Sequence, residues 1–118
     1  MKNLPKVDTP ITHHFSEGVY AREMFIPADT FVLGKLHKTR HLNIVLKGRC
    51  RVKVGGRQFD VVAPYTFESL PGEQKAVYAY EDTVWMNIHV TEETDIAKIE
   101  AKVVVNTQIE EDMPWLGE

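Results

Sequence analysis

The segment RCRVKVGGRQFDVV, running from Arg49 to Val62, most constrains what this chain can fold into. Arg49, Arg51 and Lys53 alternate with Cys50, Val52 and Val54, and Gly55-Gly56 then supplies a turn that tolerates positive φ. A period of two ending in such a turn predicts a β-hairpin with one wet face and one packed face. Similar punctuation recurs along the chain, where Gly18, Pro27, Gly34, Gly48, Pro64 and Pro71-Gly72 separate short runs rich in Val, Ile, Phe and Tyr. Further strands are predicted at Val19 to Ile26, Phe31 to His37, His41 to Leu46, Lys75 to Tyr80 and Thr83 to Val90. Many short strands between turns predict a mainly all-β sandwich or barrel. After Val90 the text changes to TEETDIAKIEAK, in which Thr91 or Thr94 can cap, acids fill the first turn, and Ile96 and Ile99 share a face. This predicts a short helix over about 94–102, then an edge strand at Val103 to Val105 and an acidic tail over 106–118 anchored by Trp115.

A length of 118 residues fits one domain, with the barrel expected over about 15–90. A net charge of -3 gives no whole-protein attraction to a nucleic acid polymer or an anionic membrane. The exposed row Arg49, Arg51, Lys53 and Arg57 has no interleaved aromatics and reads as a strand face that discourages edge pairing. The single Cys50 has no internal disulfide partner, the opening MKNLPKVDTPITHH lacks the apolar core of a secretory signal, and no apolar run is long enough to span a bilayer. A soluble cytoplasmic protein is therefore expected. A barrel this small benefits from covering an outer sheet face, so the expected assembly is a homodimer.

The stretch PADTFVLGKLHKTRHLNIVLKG resembles the first sequence motif of the cupins, which runs Gly, His-x-His, Glu, Gly at characteristic spacing. Aligned on Gly48, the likeness places Asp29 at the first glycine, Lys35 and His37 at the histidines, and His41 at the glutamate. PYTFESLPGEQKAVYA resembles the second motif less closely: Gly72 matches, Pro64 replaces a glycine, Leu70 a proline, Lys75 the histidine and Ala79 the asparagine. The resemblance covers about Pro27 to Val90 and implies a cupin-like double-stranded β-helix, a jelly-roll barrel with a short C-terminal helix. Short chains with segments such as EMFIPADTF and TVWMNIHVTEETD also resemble cupin-like proteins encoded by bacteriophages and prophages, which implies a host-cytoplasmic setting.

Cupins use such positions to bind a metal, and by that likeness His37 and His41 would be ligands for iron, manganese, nickel or zinc. Lys35 and Lys75 argue against this, because each would bring an ammonium group to the place where a divalent cation should sit. Taken at face value, Lys35, His37, His41 and Lys75 make a pocket for an anion, with Arg40 and Tyr78 as further contacts. The leading expectation is thus a cofactor-free binding module for a small phosphate- or carboxylate-bearing ligand, a nucleotide-type signal being one form and phage-encoded sequestration one role. The alternative is a metal-dependent lyase, isomerase or dioxygenase with Tyr78 or Glu73 as acid or base, and a third reading is a structural or interaction protein of a phage. Histidine titration predicts that affinity for an anion rises as pH falls through the imidazole range. His89 on VWMNIHV is expected to point away from the pocket, since Val84, Met86, Ile88 and Val90 read as the core face.

Overall fold

The computed structural model describes residues 9–103. Among the described residues nine strands precede one helix: β1 (Ile11–Ser16), β2 (Val19–Ile26), β3 (Thr30–Leu33), β4 (His41–Lys47), β5 (Arg49–Val54), β6 (Arg57–Val62), β7 (Tyr65–Ser69), β8 (Lys75–Ala79), β9 (Thr83–Val90) and α1 (Ile96–Val103). They form two antiparallel sheets, a five-stranded one ordered β1-β2-β9-β4-β7 and a four-stranded one ordered β3-β8-β5-β6. The Gly55-Gly56 hairpin forms as the alternation requires, with Cys50, Val52 and Val54 inward and Arg49, Arg51 and Lys53 outward.

The structure adds two strands to those predicted, β1 and β7. Both lie at sheet edges and bury little, so neither carries the apolar alternation that marks a strand in sequence. β3 ends at Leu33, and His37 stands beyond it in a loop as an isolated bridge residue. The helix spans Ile96–Val103, and its cap is Asp95 rather than a threonine. Asp95 Oδ1 accepts hydrogen bonds from the Ala97 and Lys98 amides at 3.0 and 3.3 Å, while Thr91 Oγ1 serves the Glu93 amide in the preceding turn. Val103 closes this helix instead of opening an edge strand; residues 104–105 and the tail with Trp115 lie outside the described residues.

The core between the sheets comprises Ile26, Val45, Cys50, Val52, Val54, Val61, Val77, Ala79 and Trp85. At one end the interior turns polar, with His41 and Asn43 from β4, Asn87 and His89 from β9, Ser69 from β7 and Lys75 from β8 all buried. Helix α1 packs beside this end, where Ile99 and Ile96 rest on Tyr20, and Lys38 Nζ donates to the Ala101 carbonyl at 2.8 Å, tying the β3–β4 loop to the helix. The outer face of the five-stranded sheet is unusually apolar: cross-strand rows bring Ala21, Ile88 and Leu42 together, then Glu23, Met86 and Ile44, with Phe25 beside Val84. Among the described residues no helix is long and apolar enough to cross a membrane.

Candidate functional site

A cavity of about 250 Å³ opens at the polar end of the barrel. Its walls are Met24 and Ile26 from β2, Val32 and Leu33 from β3, Val77 from β8, Trp85 from β9, and Ile96 and Ile99 from the helix. Tyr20, Arg22, Lys35, His37, Lys75, Asn87 and His89 bring polar atoms to it. Strand periodicity puts them there. Side chains two apart share a face, so Arg22 follows Tyr20 inward on β2, and Asn87 and His89 follow Trp85 inward on β9.

Lys75 is the centre of this site. It is 5 % exposed, and its Nζ lies 3.1 Å from His41 Nε2 and 3.4 Å from Ser69 Oγ. His41 Nδ1 faces the Thr39 carbonyl at 3.2 Å, and a carbonyl can only accept, so Nδ1 carries the proton and Nε2 offers its lone pair to the lysine. Ser69 Oγ also accepts from Asn43 Nδ2 at 2.9 Å, and the Trp85 indole donates to Asn87 Oδ1 at 2.9 Å and to Asn43 Oδ1 at 3.3 Å. A continuous polar network therefore runs from the tryptophan to the lysine.

Two further imidazoles, His37 and His89, lie beside that of His41. The His37 and His41 ring centroids are 4.4 Å apart, those of His41 and His89 4.8 Å, and those of His37 and His89 5.6 Å. His37 and His89 are buried, and the Nδ1 atom of each has no hydrogen-bond partner among the described residues. Buried polar atoms are nearly always paired, so two such nitrogens on residues lining one cavity are a distinguishing feature of this end of the barrel. Burial, reinforced by Lys75 and the neighbouring rings, lowers the pKa of His37 to about 3. Burial and Lys75 take His41 to about 4, and burial, His41 and Lys75 take His89 to about 4. Burial likewise lowers Lys75 to about 8. At neutral pH the lysine carries the charge and the imidazoles are neutral.

The residues singled out in sequence separate into two groups. His37, Lys75 and the exposed Lys35 line the cavity, with His41 in contact with Lys75 and His37 from behind. Arg40 and Tyr78 do not: Arg40 pairs with Glu68 at 3.0 Å in solvent, and Tyr78 lies on the outer face of β8, where its hydroxyl donates to Asp29 Oδ1 at 2.9 Å. Tyr78 alternates with the inward Lys75, Val77 and Ala79, which fixes its side of the sheet. His89 reverses the expectation stated for it. It points inward, and Val84, Met86 and Ile88 cover the outside, because Trp85 needs the interior and the period of two carries His89 with it. Arg22, Asn87 and Glu100 were not singled out in sequence; the inward phase of Ile26 on β2 and of Trp85 on β9 is the signal that would have found the first two.

No protein-family model matches the chain, and no curated protein resembles it in sequence. Solved structures do match. A cupin superfamily protein of Desulfitobacterium hafniense aligns over 75 % of this chain and 82 % of its own at TM-score 0.62 and 11 % identity. The chain has the cupin fold. An RmlC-like cupin with a double-stranded β-helix from Methanocaldococcus jannaschii aligns over 72 % of this chain and 82 % of its own at TM-score 0.60 and 7 % identity. The cupin domain of Cnp3 from Schizosaccharomyces pombe aligns over 84 % and 72 % at TM-score 0.59 and 18 % identity.

Within the cupin barrel, the register inferred from the first motif acquires a backbone test. Asp29, aligned with a glycine, has φ 61, and among the described residues it is the sole non-glycine with positive φ. The residues present do not fit a cupin metal ion. His41 has committed both nitrogens, to Thr39 and to Lys75, and the lysine amine occupies the space its lone pair faces. Among the described residues no group of three or more His, Cys, Asp or Glu is arranged to hold a metal.

The depressed histidines carry a stability prediction. Their folded pKa values lie below the unfolded value of about 6.5, so the unfolded chain binds more protons in the interval between. Stability should be complete above about pH 6.5 and fall, on the order of several kcal/mol in total, as pH drops toward 4. On the alkaline side Lys75, lowered, and Cys50, raised by burial to about 11, act in opposite directions. Urea unfolding at pH 7.5 and pH 5 measures the acid effect; equal free energies would mean that the rings are not held neutral.

Proposed function

We propose that the protein binds a small organic anion, apolar at one end, in the cupin cavity. The observation that carries this reading is that two buried imidazoles, His37 and His89, whose Nδ1 atoms have no partner among the described residues, line one cavity together with the buried Lys75. Among the described residues Arg22, Lys35 and Lys75 line the same cavity against one lining carboxylate, Glu100, so the charge balance favours an anion. Trp85, Val77, Leu33, Ile96 and Ile99 supply an apolar wall for the rest of the ligand. A volume near 250 Å³ lies below the roughly 300–1,000 Å³ of drug-sized pockets, so a small carboxylate or phosphate monoester suits it better than a nucleotide.

Binding of this kind needs affinity alone, and a sequestering role, in a phage or elsewhere, is its simplest use. The metal-dependent enzyme is less well supported, because a metal at His41 would have to displace Lys75. A second copy of the chain, expected from the sequence, would dock on the apolar outer face of the five-stranded sheet.

Thermal-shift measurements with small aromatic and aliphatic carboxylates and phosphate monoesters test the binding reading. A ligand at a hundred times its Kd should stabilise the fold by about 2.7 kcal/mol, a shift of several degrees. If no member of either class moves the melting temperature at millimolar concentration, the proposal fails.

A further inference from the structure

We propose that Lys75 is a site of covalent capture, at which the amine condenses with the carbonyl carbon of a small aldehyde or 2-oxo acid. This rests on reading the cavity as an organic-anion site and names the ligand's reactive group.

The geometry around Nζ sets this lysine apart. A buried ammonium is usually held by a carboxylate, which locks it in the charged, non-nucleophilic form. Among the described residues no carboxylate lies within ion-pair distance of Lys75 Nζ; its partners are an imidazole lone pair at 3.1 Å and a hydroxyl at 3.4 Å. Neutral acceptors orient the amine without requiring its charge. Lys75 also lines a cavity walled by Val77, Trp85 and Leu33, an apolar setting in which a desolvated lysine is a competent nucleophile toward carbonyls. Its pKa, lowered to about 8 by burial, agrees with this placement.

Arg22 and Lys35 line the same cavity and can hold a carboxylate next to the carbonyl, which selects a 2-oxo acid or an oxoacetate over a simple ketone. In the step itself the amine lone pair forms a C–N bond to the carbonyl carbon while the C=O π pair moves to oxygen. His41 Nε2, 3.1 Å from Nζ, takes one N–H proton and returns it to that oxygen as a hydroxyl proton. A proton from solvent then lets the hydroxyl leave as water as the C=N bond forms. Overall, ammonium and carbonyl give iminium and one water, with charge conserved and no oxidant or reductant required.

The test incubates the whole chain with glyoxylate and sodium cyanoborohydride, which reduces any iminium to a stable secondary amine, and maps adducts by peptide mass spectrometry. Lys75 should be modified at least about tenfold faster than any exposed lysine, and the Lys75→Arg variant should lose that adduct while surface labelling is unchanged. If surface lysines are modified while Lys75 is not, covalent capture is overturned. Site mapping on the wild-type chain decides this even if the arginine variant fails to fold. Benzoate, a carboxylate without a reactive carbonyl, separates the two readings. Stabilisation by benzoate with no Lys75 adduct overturns covalent capture and leaves the anion site standing, whereas no adduct together with no stabilisation by any carboxylate or phosphate monoester overturns both.

Discussion

Gly48→Ala is expected to cost about 3 kcal/mol of folding stability and to lower the melting temperature by roughly 10 °C. Gly48 joins β4 to β5 with φ 95, a conformation that an L side chain rarely adopts. A Cβ there would overlap the Asp82 carbonyl oxygen and lie 2.7 Å from Thr83 Oγ1 and 2.9 Å from Thr83 Cα. These atoms cannot move aside cheaply. Thr83 opens β9 and is buried with its hydroxyl donating to Glu81 O at 2.8 Å, and Gly48 itself accepts from the Ala63 amide at 3.0 Å. Gly72→Ala is the matched comparison, since its φ is 87 but a Cβ would meet nothing within 4 Å. It should show backbone strain alone, about 1 kcal/mol. Equal costs for the two variants, read from urea or thermal unfolding, would sink the argument from close approach.

Lys75→Met is expected to weaken binding of an organic anion by about 30-fold or more, roughly 2 kcal/mol, while raising the pKa of His37 and His41. Lys75 is the buried cation of the cavity, and its charge is among the causes that depress both imidazoles. Calorimetry on the stabilising carboxylate and NMR titration of the imidazole protons read the two effects separately. Unchanged affinity in a folded variant would remove the lysine from the site. The wild-type pH profile follows from the same group: affinity should hold down to about pH 5 and decline above pH 8 as the ammonium loses its proton. This corrects the rise through the histidine range expected from sequence, because the rings titrate near 3 to 4 in the fold.

Spacing alone determined much of this protein. Alternation and Gly-Pro punctuation located the hairpin and most strands, since burial of one sheet face writes a period of two into the chain. Motif register singled out Lys35, His37, His41 and Lys75, and it assigned Asp29 to a glycine position that proves to have positive φ. What the tertiary structure decided is which side each strand presents. On β9 hydropathy points to Val84, Met86, Ile88 and Val90 as the core face, and only the second sheet, packing against Trp85, selects the other set and carries Asn87 and His89 inward. The outward set Val84, Met86 and Ile88 stays apolar for a reason local pattern does not encode. Tyr78 was misjudged on the same ground, one residue out of phase with Lys75. The helix face that closes the cavity, and the contact of Lys75 with His41 across 34 positions of sequence, depend on long-range packing of separate strands, which spacing within a motif does not specify.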